Sequence, residues 1–263
     1  MSMMLGLDLA MVLAMMVLLW LVALKIDDVS FIDAVWGLGM SAVTLFAWWQ
    51  TGFAGGRAAL IAAMAILWGL RLGLYLFVRW REHGEDPRYA KMLRKAREGG
   101  YFAREALTRV FLMQALLLFF TSLPAQAGVL ASLGAFPGAL AQAGAALWLL
   151  GMVFETVGDW QLTRFRANPS NKGKVLDTGL WRYTRHPNYF GDACAWWGIW
   201  LAAAECGWEV AAGTAIGPLF LTYTLTRWSG KPLLEKGMAK TRPGYAEYVE
   251  RTPGFVPWFP KGK

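Results

Sequence analysis

Seven stretches of the chain are continuously apolar, at residues 3–24, 31–49, 58–78, 107–123, 140–160, 189–204 and 210–226. A helix that crosses a bilayer needs about 20 mainly apolar residues, and each stretch approaches that length. A membrane barrel would instead show segments of about ten residues in which apolar and polar positions alternate. These runs do not alternate. Helices and closed barrels are the structures that satisfy the backbone in lipid, so the pattern predicts an all-α, polytopic membrane protein, a bundle of seven transmembrane helices. The spans fill well over half of residues 1–263, which therefore read as a single integral-membrane domain. The first run has no basic segment ahead of it and is followed by Lys25 in place of a small-residue cleavage site, so it reads as a span and not as a cleavable signal.

Charge orients these spans. The chain carries 26 Lys and Arg against 18 Asp and Glu, a net charge of +8. Nine of the basic residues lie between Arg79 and Arg109, six between Arg164 and Arg185, and eight between Arg227 and Lys263. The connections near 121–137 and 205–209 contain none, and Arg57 is the single basic residue left on their side. The positive-inside rule puts the three basic segments in the cytoplasm, with the N-terminus outside and the C-terminus cytoplasmic. Topology thus accounts for the excess charge, and no nucleic-acid partner is expected. Two cysteines (Cys194, Cys206) and two histidines (His83, His186) offer no zinc or haem ligand set, so no metal is expected. Residues 125–146, rich in Gly, Ala and Pro, read as an outer loop entering a small-residue helix.

Ionisable groups within spans are costly and mark functional positions. Asp27, Asp28 and Asp33 sit where the first span ends and the second begins. Arg71 lies within the third, and Asp192 near the start of the sixth. Glu155 and Asp159 lie four apart near the inner end of the fifth, on one helix face. Each alone reads equally well as a cap or an interfacial ion pair. Together, on the cytoplasmic half, they read as a polar cavity. Gly37-Leu38-Gly39-Met40-Ser41-Ala42 fits a dinucleotide fingerprint in form, but it lies within a span and follows no strand, so it reads as helix-packing glycine, as does Gly69-x-x-x-Gly73.

The segment from Asp177 to Asp192 is polar, basic and glycine-containing, and it turns at His186-Pro187 into the sixth span. Arg182 and Arg185 offer guanidinium forks suited to phosphate, and the helix N-terminus that follows favours an anion. Trp181, Tyr183 and Tyr189 could stack on a ring. In the tail, Arg227, Lys231 and Glu235 fall at i, i+4 and i+8, nearly one face if the seventh helix continues through Pro232.

These motifs resemble the steroid 5α-reductase superfamily, in its bacterial branch of integral-membrane proteins. Tyr183 to Asp192, the tail, Asp28-Val29-Ser30-Phe31 to Trp36-Gly37 and Arg71-x-x-x-Tyr75 carry the likeness. It covers nearly the whole chain from Asp27 and is most specific from Glu155 to Glu235. What the resemblance implies is NADPH-dependent reduction of the Δ4 double bond of 3-oxo steroids, by hydride transfer to C5 and protonation at C4. Helices one to four, about residues 1–125, would take a lipophilic steroid-like substrate from the bilayer. Helices five to seven with their loops and tail, about residues 138–263, would bind the cofactor. By position, Glu155, Asp159 and Arg166 match the family's cofactor contacts at the end of helix five, and Asn188, Asp192 and Trp196 match those of the loop and helix six. Arg71, Tyr75, Tyr183, Arg185, His186 and Tyr189 join that cofactor set. Arg227, Lys231 and Glu235 keep the family's spacing, although its eukaryotic members carry His and Tyr where Lys231 and Glu235 stand. Asp27 lies where those enzymes carry a substrate-side Glu, with Asp28 and Asp33 beside it, and Trp68 stands in place of a carbonyl-polarising Tyr. A bacterial inner membrane is the expected location. The alternative is a membrane methyltransferase of the isoprenylcysteine carboxyl methyltransferase type, which has a similar Arg-His-Pro-x-Tyr-x-Gly segment and uses S-adenosylmethionine.

Overall fold

The computed structural model describes residues 1–228 and 230–261, which fold into helices and loops with no strand among the described residues. The first three apolar runs each form one unbroken helix: α1 (Ser2–Ile26), α2 (Ile32–Gln50) and α3 (Arg57–His83). The basic segment after α3 forms a short amphipathic helix, α4 (Pro87–Glu98). Its start is set by Asp86, whose carboxylate accepts from Arg88 N at 2.8 Å, with Pro87 in the first turn where no amide donor is needed.

The fourth run is more broken than its hydropathy suggests. It comprises α5 (Phe102–Glu105), a π-helical turn at Ala106–Phe111 and α6 (Leu112–Thr121), followed by α7 (Leu123–Ala131) at a bend of 47°. Pro124 has no N–H to give the carbonyl of residue 120, which breaks the helix there. Residues expected to begin an outer loop at 125 are instead helical up to Ala131 and buried, with Gln126 fully enclosed. The fifth run forms α8 (Ala139–Ala167), extended at both ends beyond 140–160.

The sixth run forms α9 (Pro187–Ala204), whose first turns carry Asn188 and Asp192. The seventh, expected at 210–226, divides into α10 (Trp208–Thr214), α11 (Ile216–Tyr223) and a π-helical turn at Thr224–Trp228. Pro218 cannot donate to the carbonyl of Thr214, where α10 ends. A new helix, α12 (Lys231–Thr241), follows with Pro232 in its first turn, and then α13 (Tyr245–Arg251). The uninterrupted face expected through Arg227, Lys231 and Glu235 is therefore not formed; Ser229 on that path, and Lys263 at the end of the basic tail, lie outside the described residues. Among the described residues four helices, α1, α2, α3 and α8, are long and apolar enough to cross a membrane, and the bent pair ending at Ala131 makes a fifth.

The chain divides into two compact units, Met1–Gln142 with Ile199–Gly217, and Ala143–Gly198 with Pro218–Lys263. In the first, α2 and α3 pack with backbones touching: a Cβ on Gly37 would meet Gly69 O and lie 2.7 Å from Gly73 N. Both glycine motifs are thus packing surfaces. Arg57, the basic residue on the outer side, is buried and paired with Glu205 at 2.9 Å, while its Nε donates to Ser132 Oγ. Glu205 also accepts from Gly138 N and Ala141 N, which caps the start of α8.

Candidate active site

The polar site of the second unit is positioned by glycine. Gly144, Gly151 and Gly158 recur every seven residues on α8, and Gly191 and Gly198 do so on α9. A Cβ on Gly151 would lie 2.6 Å from Ala195 N, one on Gly191 2.5 Å from Glu155 N, and one on Gly198 2.7 Å from Trp148 N. The two backbones therefore meet along one seam, as small residues allow in lipid. Glu155 and Asp159 flank this seam, and both are buried. Asn188 opens α9 beside Gly158, and its Nδ2 donates to Asp159 Oδ1 at 3.0 Å. Asp192 and Trp196 follow at successive turns of α9, Trp196 fully enclosed. Arg166 is exposed at the end of α8.

The loop that leads into α9 is anchored below and clasped from the side. Gly179 takes a left-handed φ of 61° directly against the Gln161 carboxamide, whose Oε1 accepts from Leu180 N at 3.1 Å. No side chain fits there. The tail then runs along the loop: Arg185 N donates to Pro253 O, Thr184 Oγ1 to Phe255 O, and Trp258 N to Tyr183 O. Phe255 packs edge-on against Phe190, and Phe259 against the exposed Tyr183. The basic, aromatic tail is thus a folded part of this unit.

At the centre of the clasp lies a buried charge cluster. Arg185 Nε donates to Glu235 Oε1 at 2.8 Å, and its NH1 donates to the carbonyls of Val249 and Thr252. His186, 2% exposed, meets Glu235 Oε1 at 3.0 Å through Nε2 and stacks on Tyr189 with ring centroids 5.3 Å apart. Burial raises the Glu235 carboxyl, but hydrogen bonds from His186 and Arg185 and the Arg185 charge outweigh it and bring it down to about 2. A carboxylate has only acceptors, so His186 Nε2 carries the proton of this bond. Burial holds His186 itself below its ordinary value despite Glu235, so the imidazole is neutral at pH 7. Tyr245, also buried, is pushed up to about 12 by burial and by the nearby Glu235. Lys231, in the first turn of α12, sits against Gly254, and Arg227 is exposed in the π-helical turn.

The Arg185 guanidinium is thus directed into the protein. The outward cations of this unit include Arg182, Lys172 and Lys174. The two lysines, which sequence reasoning did not single out, line a shallow cavity of about 510 Å³ with Asp177, Gly244, Glu247 and Arg251. Arg251 pairs there with Asp177.

The remaining predicted residues belong to the first unit. Asp27 ends α1 with a left-handed φ of 51° and pairs with Arg97 at 3.2 Å. Asp28 accepts from Ser30 N, Ser30 Oγ and Trp80 Nε1. Asp33 accepts from Tyr89 Oη and from Arg88. The three aspartates thus tie the α1–α2 connection and the start of α2 to the end of α3 and to α4. Burial and the Asp33 charge together push the Tyr89 phenol up. Trp68 is buried on α3, and the Arg71 guanidinium lies 5.6 Å over the Tyr75 ring one turn on.

Fold and site define an all-helical integral membrane protein in which a buried aspartate is hydrogen-bonded to a half-buried asparagine at a clasped polar loop. The chain belongs to the family described as Protein of unknown function (DUF1295), which it matches over residues 19–252. The likeness to steroid 5α-reductases is found again among individual relatives. The chain is similar to 3-oxo-5-alpha-steroid 4-dehydrogenase 1 of Mus musculus, 33% identical over 82 residues, 31% of this chain and 29% of that protein. Proteins of the same name match from Rattus norvegicus (32% over 83 residues, 32% and 29% of the two chains) and Bos taurus (36% over 72 residues, 27% and 28%). The chain thus spans under a third of the length of these curated relatives. No solved structure matches it.

Proposed function

We propose that the protein is an NADPH-dependent reductase of a bacterial inner membrane that reduces the Δ4 double bond of a 3-oxo steroid or a similar hydrophobic enone. The observation that carries this reading is the Asp159–Asn188 pair beside Glu155, in a chain whose curated relatives are named 3-oxo-5-alpha-steroid 4-dehydrogenases. The donor set of the second unit suits a phosphate-bearing dinucleotide. Asn188, oriented by Asp159, offers a carboxamide, Glu155 and Asp159 offer acceptors for hydroxyls, and Arg182, Arg166, Arg227, Lys172 and Lys174 offer exposed cations. Tyr183, Tyr189 and Asp192 would complete the binding surface, with the enclosed Trp196 packed behind it. Arg185, His186, Glu235 and Lys231 would hold that surface in shape.

Bound NADPH would supply the hydride that reaches C5 of the enone. Negative charge would then develop on the C3 oxygen, and a proton must reach C4. Asp27, Asp28, Asp33 and Trp68 would serve the substrate side, with Arg71 and Tyr75 on the same unit. Trp68 is buried and carries an N–H donor at every pH, which suits it to stabilise an oxyanion. Asp28 and Asp33 accept hydrogen bonds from neighbouring helices and would position the first unit's helices. Seven spans, with the N-terminus outside and the C-terminus cytoplasmic, would put the polar loops on the side where NADPH is found.

The test is NADPH binding to the purified protein. Asp159→Ala and Asn188→Ala each lose binding by tenfold or more if the reading holds. Unchanged affinity in both variants contradicts the cofactor placement.

A further inference from the structure

Asp8 is the only acid within α1, a helix long enough to span a bilayer and otherwise apolar between Ser2 and Lys25. It is fully buried. Its carboxyl meets the last residue of α2, whose Gln50 Nε2 donates to Asp8 Oδ1 at 2.7 Å. Two atoms of this pair are left over. Asp8 Oδ2 and Gln50 Oε1 are both buried and have no hydrogen-bond partner among the described residues. Both are acceptors, so the pair lacks one donor.

No cation among the described residues supplies it. α1 packs against α2, the π-helical turn at Ala106–Phe111, α6 and α7. Lys25 lies at the far end of α1. Among described residues, α2 carries one charged group, Asp33, at its opposite end and held by Tyr89 and Arg88. The π-helical turn carries only Arg109, which pairs with Glu105. α6 and α7 carry no charged residue. An ionised Asp8 would thus face one neutral donor within a membrane span, and that costs several kcal/mol. A single proton removes the charge and satisfies both leftover atoms.

We propose that Asp8 is an intramembrane proton-binding site: its carboxyl is protonated at neutral pH and donates from Oδ2 to Gln50 Oε1, closing a two-hydrogen-bond acid–amide clasp between α1 and α2. The clasp is neutral and polar on its inner edges only, so it can sit within lipid.

Infrared difference spectroscopy of the purified, detergent-solubilised protein tests this at pH 7. Subtracting Asp8→Asn from wild type leaves a protonated-carboxyl C=O band, and Asp8→Asn melts within a few degrees of wild type while Asp8→Ala melts lower. Absence of that band, or a carboxylate band in its place, overturns the proposal. Should Asp8→Asn fail to fold, Gln50→Leu decides: the carboxyl C=O band moves to higher wavenumber when its amide partner is removed, and an unmoved spectrum overturns the proposal.

Discussion

Arg185 directs its donors to Glu235 and to two backbone carbonyls of the tail, which makes it a tether. Removing Glu235 would leave a guanidinium that is 7% exposed without its counter-charge. Breaking such a pair by removing one partner costs about 3–5 kcal/mol when both are buried, and the half-buried Glu235 brings the expectation to about 2–3 kcal/mol. Glu235→Ala should therefore lower the melting temperature by several degrees in detergent, and Glu235→Gln by less. Acid should act on the same cluster. Glu235 lies below its ordinary value of 4.5 in the folded state and His186 below 6.5, so the unfolded chain takes up protons first. Their stabilisation is present above about pH 6.5 and is lost as pH falls, in a His186 step below 6.5 and a Glu235 step between 4.5 and about 2. Thermal melts across pH 3–8 should show the lower step disappear in Glu235→Gln. Asn188 stands out only through the family resemblance, whereas sequence spacing puts Glu155 and Asp159 on one helix face because four-residue spacing is a local signal. Spacing does not show Arg185 with Glu235, which are 50 residues apart, nor Asp8, a single polar letter in an apolar run.

At the scale of elements, the glycine seam between α8 and α9 determines where the polar residues fall. A valine at Gly151 would meet the backbone at Ala195, not a flexible side chain, so the helices must separate. Overpacking of this kind costs about 1–3 kcal/mol. Gly151→Val should weaken NADPH binding at least tenfold while the protein stays helical by circular dichroism, because Asp159 and Asn188 shift apart. Gly6→Val, with nothing within 4 Å of its Cβ, is the matched control and should leave binding unchanged. Hydropathy locates α1 and α2 and the starts of α3 and α8 within two residues, because a long apolar run has one way to satisfy its backbone in lipid. The polar C-terminal turns of α3 and α8 run on past the apolar stretch to His83 and Ala167. Hydropathy misses the breaks at Ser122 and Ala215, where Pro124 and Pro218 each remove one hydrogen bond without lowering the apolar average. The heptad spacing of Gly144, Gly151 and Gly158 is legible once the partner helix is known.

For the whole molecule, the proposed topology places the Arg79–Arg109 segment inside and the 132–138 connection outside. Single cysteines at Lys91 and Gly134, introduced without the native Cys194 and Cys206, test it in intact cells. Gly134→Cys should react with a membrane-impermeant maleimide, and Lys91→Cys only after permeabilisation. The reverse labelling overturns the orientation. The central claim is the reaction itself, and its most direct measurement is the mass of the product. Purified protein incubated with a 3-oxo-Δ4 steroid and NADPH should yield a product two hydrogens heavier, carrying deuterium at C5 when the cofactor hydride is deuterated. An unchanged steroid with NADPH, or a methyl gain with S-adenosylmethionine, would contradict it.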